Sequence, residues 1–549
     1  MNSIELLQKD FARHINSLFP DAQLSSEQIR LELNVDESKQ AFGDMSTNIA
    51  MILAKKVGKS PRVIAELLYS FTHPYIKDIT IAGPGFINVY LTDEALRAVA
   101  QEIFSQKESF FKPTTLSVYY KYCLEFVSAN PTGPLHFGHG RGGIIGDVLG
   151  NILHFVGHTV SKEFYINDAG NQIKKLGESF KIRCMQAAGF EAIIPEDGYH
   201  GDYLLDVAQE CFKRYGNDLA DKPEEFFVDY AKNILLDRIQ NTLQQYGITY
   251  NIWFSEKTLH DNHEIEKALD ILNEHGFLFE QEGALWFRTS HFGDDKDRVV
   301  RKSTGEYTYI AADIAYLKNK IDRGFNNLIF ILGHDHHSYV SRLNAVKNGL
   351  GFVNVPLDVI LYQLVKITQN GALVRMSKRA GAIITLQDII DTVGSDVARF
   401  FYLNRKADAQ LEFDLELALK KTDENPVYYI QYAYVRTGSI LEKAYLIDEL
   451  QNIGSSDSCL LGQEEALLLK KISVLRDLLY DISLNHQTHL LTYYILELAQ
   501  IFHRYYSRTR IIDLKEIPKS RSRLLLIIIV RDTIGLVLHL LRVNKPDKM

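Results

Sequence analysis

Residues 116–156 change periodicity twice, and no other stretch constrains the fold as much. LSVYYKYCLEFV, residues 116–127, is aromatic and β-branched and predicts a strand. SANPTGPLHFGHGRGGIIGD, residues 128–147, is punctuated by prolines and glycines, and residues 144–156 then predict a helix. Residues 327–332, ending at Gly333, and residues 359–367, ending at the Asn370-Gly371 turn, repeat the strand signal. Strands alternating with helices argue for a parallel α/β sheet, and the expected core is Rossmann-like and doubly wound. In such a sheet ligands bind where a strand's carboxyl end turns into the next helix, which is the place of residues 128–139.

Both flanks read differently. Residues 1–110 predict a small α+β unit, with helical patterns over residues 3–18 and 47–71. Its strand-like stretch, residues 79–91, is broken by Gly83-Pro84-Gly85, and a polar link over 105–115 ends it. From about Asp408 the strand signal fades. Helical patterns then cover residues 425–445, 462–482, 487–509 and 520–541, predicting an all-α bundle. The expected division is an N-terminal α+β domain over 1–110 and a catalytic α/β domain over 111–395, with a largely helical insertion at about 175–290. A helical domain over 396–549 completes it. A length of 549 residues suits three or four domains.

Composition excludes several classes. With 46% hydrophobic and 24% charged residues the chain is globular rather than disordered. Cys123, Cys184, Cys211 and Cys459 are scattered with no CxxC pair, which opposes a disulfide scaffold or cysteine zinc site and suits a reducing cytoplasm. MNSIELLQKDFARHI reads as an amphipathic helix rather than a signal peptide. The apolar run 524–530 is too short to span a bilayer, so a cytoplasmic protein without a membrane partner is expected. Net charge is −8, but residues 501–549 hold eleven Lys/Arg against four Asp/Glu. This +7 tail on an acidic body is a candidate contact for a polyanion, or a solvated helix face.

The 128–147 loop carries His136 and His139. A helix N-terminus there offers free N–H groups and partial positive charge to a phosphate. At i, i+3 the two imidazoles would share a face and could donate to a triphosphate, and Gly138 and Gly140 would admit a nucleotide close to the backbone. Packing remains an alternative for HxxH taken alone, and zinc a weaker one, because no further ligand lies nearby in sequence. His154 and His158 read as structural. A second element is Arg375-Met376-Ser377-Lys378-Arg379, in a loop flanked by glycines. A lysine on a flexible loop can close over phosphates.

Together the two elements resemble the HIGH and KMSKS signatures of class I aminoacyl-tRNA synthetases, here His136-Phe137-Gly138-His139 and the 375–379 run. The likeness is closest to arginyl-tRNA synthetases of bacterial type. YINDAGNQI (165–173), GHDHHSYV (333–340), MSKRAG (376–381), DVARFFYLNRKADAQLEFDLELA (396–418) and NPVYYIQYAYVR (425–436) are similar to that family in the same order. Arg375 departs from the signature's first lysine; it keeps the charge but presents a planar fork.

The resemblance implies an arginine–tRNA ligase. It would join arginine to ATP as arginyl-adenylate, release pyrophosphate, and pass the arginyl group to the 3′ end of its tRNA. Catalysis would be positioning and charge stabilisation. His136, His139 and Lys378 would act on the triphosphate, with Pro131, Gly133, Gly138, Met376 and Ser377 completing the ATP site and Mg2+ carried by the phosphates. Glu125, Asn130, Tyr309, Asp313 and His337 would bind arginine, Asp313 holding the guanidinium bidentately and Tyr309, i−4 to it, flanking it. Tyr428, Tyr432 and Arg436 form an aromatic–aromatic–Arg stripe suited to unpaired bases, or to helix packing; Arg504 and Arg508 suit phosphates. The family implies a monomer. HDHH at 334–337 resembles a metal cluster, but four consecutive side chains cannot all face one ion. Two readings compete. Another class I synthetase, for cysteine or glutamate, would need a zinc–thiol site or arginines in place of Asp313. An inactive, tRNA-binding core would be expected to lose His136, His139 or Lys378.

Overall fold

The computed structural model describes residues 2–549 apart from 23, 25–28, 115, 117, 375–383 and 459–461. At its centre five parallel strands, β1 (Lys121–Phe126), β2 (Thr159–Ile166), β3 (Ile252–Ser255), β4 (Asn327–Gly333) and β5 (Leu357–Tyr362), lie in the order β5-β4-β1-β2-β3. Strand β1 pairs with β2 from Lys121 opposite Thr159 to Glu125 opposite Glu163, and with β4 from Tyr122 opposite Asn327 to Phe126 opposite Ile331. From β1 the chain crosses through helix α1 (His139–Phe155) to β2. Helix α2 (Tyr309–Asp322) leads into β4, and from β4 the chain turns the other way, through α3 (Tyr339–Gly349), to β5. The connections diverge between β1 and β4, which opens a crevice over their carboxyl ends.

Helix α1 is buried along most of its length although it contains five glycines, each a poor helix former. The sheet explains them. A Cβ at Gly146 would sit 2.3 Å from the Phe126 ring, and one at Gly142 2.5 Å from the Tyr362 ring. The bare backbone lets α1 lie directly on β1 and β5.

The region expected as a helical insertion holds helices Asn171–Ala187, Asp202–Tyr215 and Glu224–Gln245 around their own core of Leu176, Phe180, Leu204, Phe227 and Leu235. It is not helical throughout. Strand β3 returns to the central sheet within it, and Leu278–Gln281, Ala284–Phe287 and Arg298–Arg301 form a separate antiparallel sheet. IWFS is too short, and its residues too evenly half-buried at a sheet edge, for periodicity to reveal it.

The N-terminal unit has a four-stranded antiparallel sheet, ordered Glu32–Leu33, Met45–Thr47, Phe86–Leu91, Ile76–Ala82. The helical stretch expected over 47–71 divides into Ile49–Val57 and Pro61–Leu68. Gly58 ends the first at φ 69°, and the Ser60 side chain caps the second ahead of Pro61. Helix Asp93–Gln106, capped by Thr92, precedes the 105–115 link and was not legible as a separate element.

Beyond α4 (Ser395–Leu403), strand Leu411–Asp414 pairs in parallel with Val365–Gln369. The chain thus returns to the catalytic body after residue 396 before it enters the bundle. The bundle comprises α5 (Pro426–Tyr445), α6 (Gln463–Ser473), α7 (Leu475–Asn485), α8 (His489–Arg508) and α9 (Ile517–Leu541). Helix α9 has the length and apolar composition of a membrane span, more than the 524–530 run suggested, yet most of it is buried among the other helices. The N-terminal unit leans on the bundle through Lys470–Asp44 at 2.9 Å and Arg30–Asp481 at 3.2 Å.

One buried joint ties the layers together. Asp147 of α1 takes Lys162 of β2 at 2.6 Å and Arg399 of α4 at 2.6 Å. Arg399 also donates to the carbonyls of Tyr246 and Leu541, both at 2.7 Å. The ends of the long insertion helix and of α9 therefore meet at the helix that starts with His139.

Candidate active site

The crevice over β1 and β4 is a cavity of about 960 Å³. The chain leaves β1 by a strained turn: Val127 and Ser128 both have left-handed backbones, φ 68° and 41°. Such conformations cost about 1–3 kcal/mol each for non-glycine residues and persist only where the surroundings impose them. Here Tyr250 donates to the Phe126 carbonyl at 3.0 Å, and Ser128 Oγ donates to Glu125 at 3.2 Å while accepting from the Tyr165 N–H at 3.1 Å.

His136 and His139 both line the cavity, but not as two residues of one helical turn. His136 precedes α1 and bridges to Thr385, and the two rings stand at 88° with centroids 6.3 Å apart. Their protons are fixed by the backbone. Nδ1 of His136 accepts from the Gly138 N–H at 3.1 Å, and Nδ1 of His139 accepts from the His136 N–H at 3.0 Å. A neutral imidazole that accepts at Nδ1 carries its proton at Nε2. Burial lowers both pKa values, that of His139 to about 4 with the neighbouring His136 adding to the shift, so both rings are neutral Nε2–H donors at pH 7.

The run Arg375–Arg379, with Lys378, Met376 and Ser377, lies outside the described residues. Its described flanks are anchored. Val374 N–H donates to Ile367 at 2.9 Å, and on the far side Phe137 N–H donates to Ile384 at 3.2 Å and Leu386 N–H to Leu135 at 2.8 Å. The chain therefore emerges against the histidine loop. Gly133 lines the cavity, where Tyr203 donates to the neighbouring Thr132 carbonyl at 2.6 Å. Pro131 is buried and Gly138 spends its N–H on His136; neither forms part of the wall.

The opposite wall is acidic. Glu125 ends β1, faces the cavity and pairs with Lys320 at 3.0 Å. Lys320 also holds Glu163 at 2.6 Å; burial alone would raise the Glu163 pKa, but Lys320 and Arg323 bring it to about 2. Tyr309 begins α2 at the cavity mouth, 62% exposed, and Asp313 follows one turn later on the same face. Burial pushes the Asp313 pKa up to about 7, against a hydrogen bond from the Tyr339 hydroxyl, with the charges of Glu125 and Glu256 adding to the rise. Asn130 lines the cavity and donates to Gln172 at 2.7 Å. His337 is exposed and outside the wall. His336, in the 3-10 turn His334–His336 just before it, is also exposed and borders the cavity.

Sequence reasoning missed Glu256, Tyr165, Arg342 and Tyr203, all of which line the cavity. Glu256 follows the inconspicuous β3, and only the strand pairing brings it beside Tyr165 of β2. Among the described residues no three His, Cys, Asp or Glu side chains converge as a metal site.

On the bundle, Tyr428 and Tyr432 stack with centroids 6.3 Å apart, and the Arg436 guanidinium lies 4.4 Å from the Tyr432 ring and 4.6 Å from that of Tyr506. Arg436 also meets His503 Nδ1 at 2.8 Å. Arg508 is exposed and pairs with Glu464 at 3.3 Å. Arg504 lies on the same helix, α8.

Comparison with known proteins matches three family models along the chain: an arginyl tRNA synthetase N-terminal domain over residues 5–91, a class I (R) tRNA synthetase catalytic domain over 101–409, and a DALR anticodon binding domain over 430–549. The chain is 41% identical over 554 residues to an arginine–tRNA ligase of Citrifermentans bemidjiense, covering 99% of this chain and 100% of that protein. It is 38% identical to one of Oceanobacillus iheyensis, with both chains fully covered. The Thermus thermophilus arginyl-tRNA synthetase structure shares the fold at a TM-score of 0.74 and 19% identity, over 99% of this chain and 100% of that one.

Proposed function

The chain belongs to the arginyl-tRNA synthetase family and is an ATP-dependent arginine–tRNA ligase, and on that premise we propose which of its residues carry each step. In the first step the arginine carboxylate attacks the α-phosphorus of ATP, forming arginyl-adenylate and releasing pyrophosphate. In the second the terminal adenosine hydroxyl of the tRNA attacks the arginyl carbonyl and AMP leaves.

The Nε2–H groups of His136 and His139 donate to the phosphate oxygens as negative charge builds there. Because both Nδ1 atoms are already engaged, the donors are set before substrate arrives, which is the condition under which such groups stabilise a transition state most. Lys378 closes on the same phosphates, flanked by Met376 and Ser377, while the backbone at Gly133 borders the nucleotide. Mg2+ enters with ATP, on its phosphates. Asp313 takes the guanidinium, Glu125 and Asn130 complete the amino-acid site, and Tyr309 covers its mouth. Tyr428, Tyr432 and Arg436 meet unpaired bases of the tRNA, and Arg504 and Arg508 its phosphates. The enzyme acts as a cytoplasmic monomer, which sedimentation of the full chain checks.

The observation that carries this assignment is one cavity with two neutral imidazole donors on one wall and carboxyl groups on the other. Pyrophosphate release from ATP, measured with each of the twenty amino acids with and without bulk bacterial tRNA, tests it. The expected result is a signal for arginine alone; silence for all twenty would overturn it.

A further inference from the structure

Arg141 lies in the first turn of α1, two residues after His139, and is wholly buried. Two residues are about 200° round a helix, so it points away from the cavity that His139 faces. Among the described residues its hydrogen bonds all go to backbone carbonyls. Nη1 donates to Gln363 at 2.8 Å and to Ala409 at 2.7 Å, and Nη2 donates to Lys406 at 2.8 Å. Nε is buried and has no acceptor among the described residues. Asp408 lies near enough for its charge to be felt, but its carboxylate pairs with Lys406 at 2.7 Å. A buried cation without an anion carries a desolvation cost that an apolar side chain of similar volume would not. What the guanidinium adds is direction, as a rigid fork tied at three points.

The three carbonyls belong to one small assembly. Gln363 joins β5 to strand Val365–Gln369, and Lys406 and Ala409 lie in the turn that leads from α4 to strand Leu411–Asp414. The two strands pair in parallel, and the Gln363 N–H donates to Ala407 at 2.9 Å. Val365–Gln369 runs on through the Asn370-Gly371 turn to Val374, the residue before the 375–379 run. The HFGH segment is tied to the same body, since Tyr402 of α4 donates to the Phe137 carbonyl at 2.7 Å. We propose that Arg141 is a positioning residue for adenylate formation: it sets His139 at a fixed place relative to the strand pair from which the chain runs on to Lys378. The inference rests on the reading of His139 and Lys378 as triphosphate ligands and adds the residue that holds their two elements in register. Arg141 touches no substrate. Its effect is confined to the step in which both elements act on one triphosphate. Once pyrophosphate has left, their relative place no longer matters, so transfer to tRNA does not depend on it.

Two rates on the full-length enzyme separate this role from a general one in folding. Arginine-dependent ATP–pyrophosphate exchange, with tRNA present, reads the first step. AMP-dependent removal of arginine from arginyl-tRNA, without pyrophosphate, reads the second step in reverse. Arg141→Gln should slow exchange at saturating ATP by about 30- to 100-fold, the scale of a misplacement of about 1 Å. The ATP KM should move by less than about threefold, because the misplaced contacts are made in the transition state. The AMP-dependent reaction should keep its wild-type rate. Arg141→Lys, which keeps the charge but not the fork, should exchange at a rate between those of wild type and Arg141→Gln. Wild-type exchange by Arg141→Gln would overturn the proposal. Equal slowing of both reactions, or failure of both variants to fold, would also overturn it and leave Arg141 a core staple. If His139→Gln and Lys378→Ala exchange normally, the triphosphate reading fails first, independently of Arg141.

Discussion

At the scale of single residues, the histidines illustrate how a motif understates its chemistry. HxxH gives two imidazoles three apart, but not which nitrogen is free; the backbone N–H groups of His136 and Gly138 decide that by occupying Nδ1. Replacing His139 by Gln removes the preset donor without adding charge. It should slow pyrophosphate exchange by about 10²–10³, the usual effect of losing one oxyanion donor. A loss below tenfold, with the melting temperature unchanged, would take His139 out of the phosphate site. Because its pKa lies near 4, its donor role should persist as pH falls from 8 to 5, and an activity limb at pH 6–7 must come from other groups. Lys378→Ala should slow adenylate formation by orders of magnitude with little effect on fold, and near-normal exchange would refute its assignment. Asp313→Ala should raise the arginine KM by about 10- to 100-fold, since a hydrogen bond to a charged group contributes about 1.5–3 kcal/mol. An unchanged KM would exclude it from the pocket. Asp313 was named from the family resemblance, on a helix face that it shares with Tyr309. Glu256 was not, because nothing in IWFSE indicates which strand lies beside it.

At the scale of elements, legibility followed length and punctuation. Most helices of the bundle and strands β1 and β4 announce themselves by their apolar patterns, although the single helix expected over 462–482 divides into α6 and α7. Four-residue strands do not: β3 and Leu411–Asp414 exist because a neighbouring strand supplies their hydrogen bonds. The second moved the start of the helical domain later than the fading strand signal suggested. The Asp147–Lys162–Arg399 joint is another property that only assembly creates, since its three members lie on α1, β2 and α4. Burial favours a neutral Asp147, yet Arg399 and Lys162 keep its pKa below the usual carboxylate value. Arg399→Met would leave Asp147 with Lys162 and the more distant Arg542, and two carbonyls without donors. Removing one partner of a buried pair costs about 3–5 kcal/mol. Urea unfolding should show that loss, and adding Asp147→Asn should recover part of it. A single variant that unfolds like wild type would mean that the joint contributes no stability.

At the scale of the molecule, a chain of net charge −8 must hold a polyanion, so attraction has to be local. The bundle offers two different means. The Tyr428–Tyr432–Arg436–Tyr506 ladder is mostly ring surface, with its one guanidinium set between two rings and against His503. Stacking of that kind is nearly indifferent to salt and contributes about 1–3 kcal/mol per base. Arg508, exposed on α8, would act by releasing counterions from phosphate, which is steeply salt dependent. Measuring tRNA affinity from 50 to 300 mM salt separates the two. Wild type should weaken as salt rises. Tyr432→Ala should shift the whole line to weaker binding at constant slope, whereas Arg508→Ala should flatten the slope by about 0.7–0.9, the counterion share of one phosphate. If Tyr432→Ala changed only the slope, the ring would be serving to hold Arg436 against a phosphate rather than to stack on a base. If neither variant moved the line, the tRNA would lie on a different face of the bundle, and the aromatic ladder would be packing between α5 and α8.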